Sequence, residues 1–424
     1  MDLKAIIGRQ DYMKVSRAGW PSYDAVLAGM TSADPDIARD IKTFVDKKLA
    51  EYHRAMQHGN FIAEHNQRYQ QQVFFDKKYK HDVPCLVPWN TMGVTMSGDV
   101  FICLSPAWIP RFVGNVLTAQ DVYADILNSV EAQKIRQEIL NNRYYYCNNF
   151  LCSHFLSVPQ ERYVAHATDD ASLSQLSFEP EHSYQIKDIP RNLIFDFDDT
   201  CNFRCPSCRT QVINKNKHHI IRPINEKIVD KIKTLVINNI GDQPIEIRWA
   251  GGEPFISEVY VNLMQYIIDT GKTNIKHIIQ TNGSYLKSKS HLVSYLLPHM
   301  KELRISFDAA TADTYHRVRV NGRWDSLLDN VSWVIDNIKN QNAPVRVTAD
   351  FVVQEDNYKE IPAFAELCND LGIQNINYQK MWNWNTWPED ELRQRSVWHE
   401  AHPKYQLVVD LINQAKSMMK TWDT

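Results

Sequence analysis

Cys201, Cys205 and Cys208 stand in the run CNFRCPSC, directly after a strand-like segment, NLIFDFDDT. The spacing, three residues and then two, gathers three thiolates on one short loop. Iron–sulfur clusters usually take four cysteines, so a three-thiolate loop leaves one iron of a four-iron cluster open to another ligand. With 8 cysteines in 424 residues, chance predicts about 0.003 triplets of this spacing, so the motif carries information. Zinc suits these thiols less well, because it favours four ligands paired across two knuckles.

A second group, Cys85, Cys103, Cys147 and Cys152, lies between residues 80 and 155. GVTMSGDVFIC alternates as a hairpin turning at Ser97-Gly98-Asp99, which brings Cys85 and Cys103 together. A helical segment with a turn at Gly114-Asn115 follows, and then CNNFLC supplies the last two thiols. Four thiolates with no open position describe a closed cluster for electron transfer or structure, and zinc suits the same set. His154 can stand in for Cys152 as a ligand, but a solvent-facing or capping histidine is the simpler expectation. Cys368, alone in the amphipathic FAELCNDLG, reads as a core thiol.

The triplet resembles the radical S-adenosylmethionine (SAM) superfamily, whose signature is C-x3-C-x2-C. Other segments join the match in order: AGGEP at Ala250–Pro254, QTNGSYL from Gln280, RISFDAAT from Arg304, then HRVRVNGRWDSLLDNV and VRVTADFVV. The upstream pattern C-x12-G-x4-C, with its VGN turn and NSVEAQKIR helix, resembles the SPASM or twitch auxiliary-cluster domain of the same enzymes, here ahead of the barrel. The resemblance implies a SAM-binding [4Fe-4S] cluster on Cys201, Cys205 and Cys208, SAM itself, and a second, auxiliary [4Fe-4S] cluster. It implies that Gly251 and Gly252 let backbone approach the methionine half of SAM, and that Glu253 accepts hydrogen bonds from its ammonium group. Ser306 and Asp308, two apart on a strand, are the expected ribose or carboxylate contacts, with Asn282 beside them. Phe203 offers apolar surface near the adenine, where Ser207 occupies a position often aromatic in the family. Reductive cleavage of SAM to a 5′-deoxyadenosyl radical and abstraction of a substrate hydrogen would follow, with the auxiliary cluster assisting electron transfer. Flavodoxin or ferredoxin is the kind of electron donor implied. A peptide or a small molecule such as a carbohydrate is the kind of substrate.

One competing motif overlaps the first strand. Asp196-Phe197-Asp198-Asp199-Thr200 fits the D-x-D-x-T pattern of haloacid-dehalogenase phosphatases, in which the first Asp is a nucleophile. No Lys and paired-Asp magnesium site accompanies it, and the cysteine triplet gives the strand end another task.

The elements that must position these residues follow from pattern. From residue 192, strand-like runs alternate with helices about six times: IFDFD, IEIRWA, HIIQTN, LRISFD, RVTADFVV and IQNINYQ. Alternation of this kind means a parallel sheet with crossover helices, and six units predict an α/β fold with a partial (β/α)6 barrel. The triplet, Gly-Gly-Glu, Thr-Asn-Gly and Ser-Phe-Asp all fall at C-terminal strand ends, where parallel barrels place their active sites. The expected layout is a helical region 1–80, a small α+β auxiliary domain 81–155, a linker 156–190, the barrel 191–380 and a helical extension 381–424. Trp382, Trp384, Trp387 and Trp398 in that extension read either as lining of the barrel mouth or as packing of the last helices. The chain is 44% hydrophobic with net charge −3, enough for a large core and no basic field for nucleic acid. Neither a bilayer-length apolar run nor a signal peptide's h-region is present, so a cytoplasmic protein with reduced thiols is expected.

Overall fold

The computed structural model describes residues 85–141, 144–147, 152, 184–216, 221–382, 384 and 386–419. The expected helical region 1–80, most of the linker and His154 lie outside these residues. The described residues fall into two compact units: those up to Phe197 with 221–245, and 198–216 with those from Glu246 onward. Among the described residues no helix is long and apolar enough to cross a membrane.

In the first unit, β1 (Thr91–Thr95) and β2 (Asp99–Phe101) form the expected antiparallel hairpin, with Gly93 opposite Phe101. Gly98 turns the chain at a φ of 79° and donates its N–H to the Thr95 carbonyl at 2.9 Å, a left-handed conformation that suits glycine. The buried Asp99 carboxylate holds the turn, accepting from Ser97 Oγ at 2.5 Å and Asn115 Nδ2 at 2.8 Å. Where the sequence predicts a turn at Gly114-Asn115, the structure has a short strand, β3 (Gly114–Asn115), paired antiparallel with β2. The cause is the Asn115 amide, which also donates to the Ser97 carbonyl at 3.0 Å and ties this segment to the hairpin. On the other side of β1, β4 (Asn192–Asp196) pairs in parallel.

The helix Val130–Leu140 starts at Ser129, whose hydroxyl accepts from the Ala132 N–H at 3.3 Å, a standard N-cap. Its Ala132, Ile135 and Ile139 are buried, and so is Arg136. The Arg136 guanidinium donates to the carbonyls of Pro88 at 3.0 Å, Leu127 at 2.6 Å and Tyr184 at 3.1 Å. A buried cation is held here by backbone dipoles rather than a counter-ion, and burial lowers its pKa to about 9.

The second unit carries β5 (Ile245–Trp249), β6 (Ile275–Thr281), β7 (Met300–Ser306), β8 (Arg346–Val353) and β9 (Asn375–Lys380) in that spatial order. The pairs β6·β7, β7·β8 and β8·β9 are parallel. Helices Glu258–Asp269, Ser290–Leu296, Ala312–Val318, Trp324–Asn340 and Ile361–Leu371 fall between the strands. The six strand-like runs of the sequence are β4 to β9, and the fold is the α/β class with a partial barrel.

Period-two alternation separates two faces. Leu303, Ile305, Val347, Ala349 and Phe351 are fully or nearly fully buried, and Phe351 packs on Phe364 of helix Ile361–Leu371 at 4.7 Å between ring centroids. The alternate positions are polar: Glu302, Arg304 and Ser306 on β7, Thr348 and Asp350 on β8, Asn377 and Gln379 on β9. His277 on β6 is fully buried and its Nδ1 accepts from Trp249 Nε1 at 3.0 Å. An indole can only donate, so this imidazole is neutral with its proton on Nε2.

Candidate functional site

The three-thiol loop lies in the second unit. Cys201 is anchored to Ile213 by a two-way backbone bridge, its N–H donating at 2.7 Å and its carbonyl accepting at 3.1 Å. The Cys205 carbonyl accepts from the N–H groups of Cys208 and Arg209, both at 2.9 Å, which curls the loop so that the three thiols face one region. Cys201 and Cys205 are buried, Cys208 is half-buried, and all three are free thiols. Burial pushes the Cys205 thiol up to about 11 while Arg319 pulls it down; Cys201 is raised likewise, with Arg209 opposing.

Each thiol also receives a side-chain N–H. Asn282 Nδ2 lies 3.9 Å from Cys201 Sγ, Arg319 Nη1 3.7 Å from Cys205 Sγ, and Arg209 Nη2 3.7 Å from Cys208 Sγ. Three sulfurs with one polar donor apiece fit a sulfur-ligated cluster, whose ligands are ordinarily hydrogen-bonded in this way. Arg209 and Arg319 had no role in the sequence reading. The available signal was position, since Arg209 directly follows the last cysteine.

The Gly-Gly-Glu segment packs against the cysteine loop. A Cβ on Gly252 would sit 2.1 Å from the Thr200 carbonyl oxygen, and the Glu253 N–H donates to that oxygen at 2.7 Å. Gly252 is therefore required for contact with the base of the cysteine loop, while Gly251 adopts a φ of 98°. The Glu253 carboxylate is fully buried and accepts from Thr281 Oγ1 at 2.7 Å, the Asn282 N–H at 2.6 Å and the Phe255 N–H at 3.2 Å. It braces the end of β6 instead of facing open space, and burial raises its pKa to about 7 against those three hydrogen bonds.

Ser306 and Asp308 also part company. β7 ends at Ser306, and Asp308 has a left-handed φ of 60°, so the two-residue alternation stops before it. Asp308 is almost wholly buried, accepts from the Val352 N–H at 2.7 Å and forms an ion pair with Arg319 Nη2 at 2.7 Å. Ser306 remains on the polar face in register with Asp350. Asn282 bridges Asn202 Oδ1 at 2.9 Å and Ser284. Phe203 is 2% exposed, so its ring is core and offers little free surface to an adenine. Asp198, from the phosphatase-like pattern, is spent inside the protein: Thr200 and Ser257 hydroxyls donate to its two oxygens at 2.8 and 2.5 Å.

Next to Ser306 the polar face is chemically uneven. Asp350 Oδ1 accepts from Arg304 at 2.6 Å, Asn377 at 2.7 Å and Gln379 at 3.0 Å, whereas its buried Oδ2 has no hydrogen-bond partner. Arg248 on β5 is exposed, yet desolvation lowers its pKa and Arg304 adds to the effect. Glu302, Glu246 and Asp350 oppose that shift, so Arg248 stands among charges of both signs.

The other four thiols occupy the first unit. Cys85, Cys103, Cys147 and Cys152 line one small cavity of about 20 Å³, otherwise walled by apolar and aromatic groups such as Trp108, Ile139 and Tyr144. The hairpin delivers Cys103, and Tyr144 clamps the other ends: its hydroxyl accepts from the Cys85 N–H at 3.2 Å and its carbonyl from the Cys147 N–H at 3.0 Å. Burial, then mutual repulsion with neighbouring thiols, raises Cys103 and Cys147, and burial pushes Cys85 up to about 12. Among the described residues no three His, Cys, Asp or Glu side chains converge as a single-ion site; the thiols are arranged around a space. Cys368 is fully buried in the core. Of the four tryptophans, Trp387 lies under the Arg395 guanidinium at 3.9 Å and Trp398 near Lys380 at 5.8 Å. Trp387 thus contacts its own C-terminal segment, whereas Trp398 meets the end of β9.

A profile of the radical SAM superfamily matches residues 197–368, and a SPASM iron-sulfur cluster-binding domain profile matches residues 85–153. A probable GTP 3′,8-cyclase of Saccharolobus solfataricus is 24% identical over 178 residues, covering 42% of this chain and 52% of the relative. A second, from Saccharolobus islandicus, gives the same figures. The chain thus spans about half the length of the curated relatives it matches. Among solved structures, anSMEcpe with bound AdoMet is 14% identical with a TM-score of 0.32, covering 45% of this chain and 51% of that one. Archaeal TYW1 is 15% identical with a TM-score of 0.29, covering 50% and 68%. The chain therefore carries a radical SAM domain with a SPASM domain ahead of it, and these domains imply SAM, a [4Fe-4S] cluster and auxiliary iron–sulfur as cofactors.

Proposed function

We propose that Cys201, Cys205 and Cys208 hold the SAM-binding cluster, that Cys85, Cys103, Cys147 and Cys152 hold an auxiliary [4Fe-4S] cluster, and that the enzyme abstracts hydrogen from a small polar substrate. The carrying observation is the loop of three free thiols, each with its own N–H donor, at the strand ends braced by Glu253. When bound, the SAM-site cluster supplies the electron that cleaves SAM to methionine and a 5′-deoxyadenosyl radical. The chain's own part is placement. Gly252 lets its segment pack against the base of the loop, Asn282 spans the loop and the end of β6, and Ser306 lies on the adjoining polar face. Four thiols disposed around an apolar cavity support a cluster in the first unit over a lone zinc ion.

The polar face of the sheet supports the substrate class. Arg248 and Arg304 favour an acidic group, and the unpartnered Asp350 oxygen favours a hydrogen-bond donor. A small molecule bearing a carboxylate or phosphate meets both demands, and the GTP named in the relatives is of that kind. A low-potential protein such as flavodoxin or ferredoxin is the proposed electron donor.

Anaerobic reconstitution with iron and sulfide, followed by a strong reductant and SAM, tests this reading. About eight irons per chain are expected from two four-iron clusters, with 5′-deoxyadenosine as product. About four irons together with zinc would reassign the first unit, and a colourless, iron-free protein would overturn the proposal.

A further inference from the structure

The donors to the three loop thiols differ in charge and in what else they hold. Asn282 is neutral. Arg209 is 6% exposed, and its remaining bonds go to neutral carbonyls, Asp199 O at 2.8 Å and Gly251 O at 3.1 Å. The nearby Asp199 carboxylate is itself paired with Lys215 at 2.6 Å. Arg319 is as deeply set, with 12% of its side chain exposed, but its second nitrogen is neutralised by Asp308 at 2.7 Å. Both guanidinium groups are pinned at two ends and cannot swing away from the sulfurs.

Hydrogen bonds to the ligand sulfurs and the local net charge set the reduction potential of an iron–sulfur cluster. A cation favours the form that carries one more electron, and it does so more strongly where water is excluded. We propose that Arg209 and Arg319 are positioning residues that raise the reduction potential of the cluster on Cys201, Cys205 and Cys208, and that Asp308 restrains the effect of Arg319 by pairing with it. This rests on the radical SAM reading above. It also gives Asp308 a task its buried, left-handed backbone can serve. Asn tolerates that conformation as well as Asp does, so Asp308→Asn removes the charge and leaves the turn.

The ordering of potentials follows by sign. Arg209→Gln removes a cation with no bonded counter-charge and should lower the midpoint most, by at least a tenfold change in the reduction equilibrium, which is 59 mV for one electron. Arg319→Gln removes one that is half-balanced and should lower it less. Asp308→Asn unmasks Arg319 and should raise it. The measurement is an EPR-monitored redox titration of the reconstituted full-length protein without SAM. The relevant signal is identified in a parallel sample as the one that changes when SAM is added. Unchanged midpoints in both arginine variants, with iron content intact, overturn the proposal. If the arginine variants hold no iron, Asp308→Asn decides alone: an upward shift supports the assignment, and no shift or a downward one overturns it. Failure of the underlying reading looks different, since the unmutated protein would then carry no iron and no SAM-sensitive signal.

Discussion

The two thiol groups are opposite solutions to holding metal. The three-thiol loop is ringed by polar donors, Arg209, Arg319 and Asn282, with buried carboxylates at Glu253 and Asp308. The four-thiol cavity is walled by Trp108, Ile139, Tyr144 and other apolar groups, and its thiols are lifted by burial with no nearby cation among the causes. An added electron is better tolerated beside guanidinium groups than in an apolar wall. A three-cysteine cluster also starts with less negative charge than a four-cysteine one. The difference teaches that the loop suits a site that takes an electron and passes it to a bound ligand, and the cavity a site that keeps its cluster closed and dry.

The two thiol groups differ most in what their loss would do. Replacing Cys201, Cys205 and Cys208 together by Ala is expected to abolish reductive SAM cleavage and remove about half of the iron, read by 5′-deoxyadenosine formation and metal analysis. Full iron retention would show that the loop is no cluster site.

Replacing Cys85 and Cys103 by Ala sharpens the contrast. This variant should also lose about half of the iron, yet still cleave SAM at a substantial fraction of the normal rate, while turnover of substrate collapses. Product formation at the normal rate would reduce the cavity to a structural role.

A smaller effect separates the units by pH. Burial holds the His277 imidazole at a pKa of about 3 in the folded second unit, below its unfolded value of about 6.5. Its stabilising contribution is present above pH 6.5 and is lost progressively as pH falls toward 3, about 1.4 kcal/mol by pH 5.5. Asp99 in the first unit runs the other way. Burial raises its carboxyl well above the ordinary value despite bonds from Ser97 and Asn115, so its contribution is greatest in acid and is lost as pH rises. Hydrogen exchange, corrected for intrinsic rates, should show β6 amides losing protection between pH 7 and 5.5 while the hairpin amides of Thr91–Phe101 hold or gain. His277→Gln should flatten the first trend and Asp99→Asn the second. Parallel pH trends in both segments would contradict the contrast.

Spacing along the chain was enough to read the chemistry of the loop. Three thiols within eight residues of one segment can meet whatever the rest of the fold does. The six strands were equally legible, because a parallel sheet imposes its alternation on every strand. The hairpin of Cys85 and Cys103 announced itself through alternation and its Ser-Gly-Asp turn.

What the sequence concealed depends on contacts between distant segments. Arg319 lies 114 residues from Cys205 and Asn282 81 residues from Cys201, and no local pattern links such pairs. Glu253 and Asp308 read as open ligands because their motifs sit at strand ends. Burial and three hydrogen bonds turned the first inward, and a left-handed backbone with an arginine partner occupied the second. The sequence by itself determined which atoms can bind metal, since that depends on residue type and short spacing. Only the tertiary structure decided which charges surround those atoms, because electrostatic partners are chosen by proximity in space and by the exclusion of water.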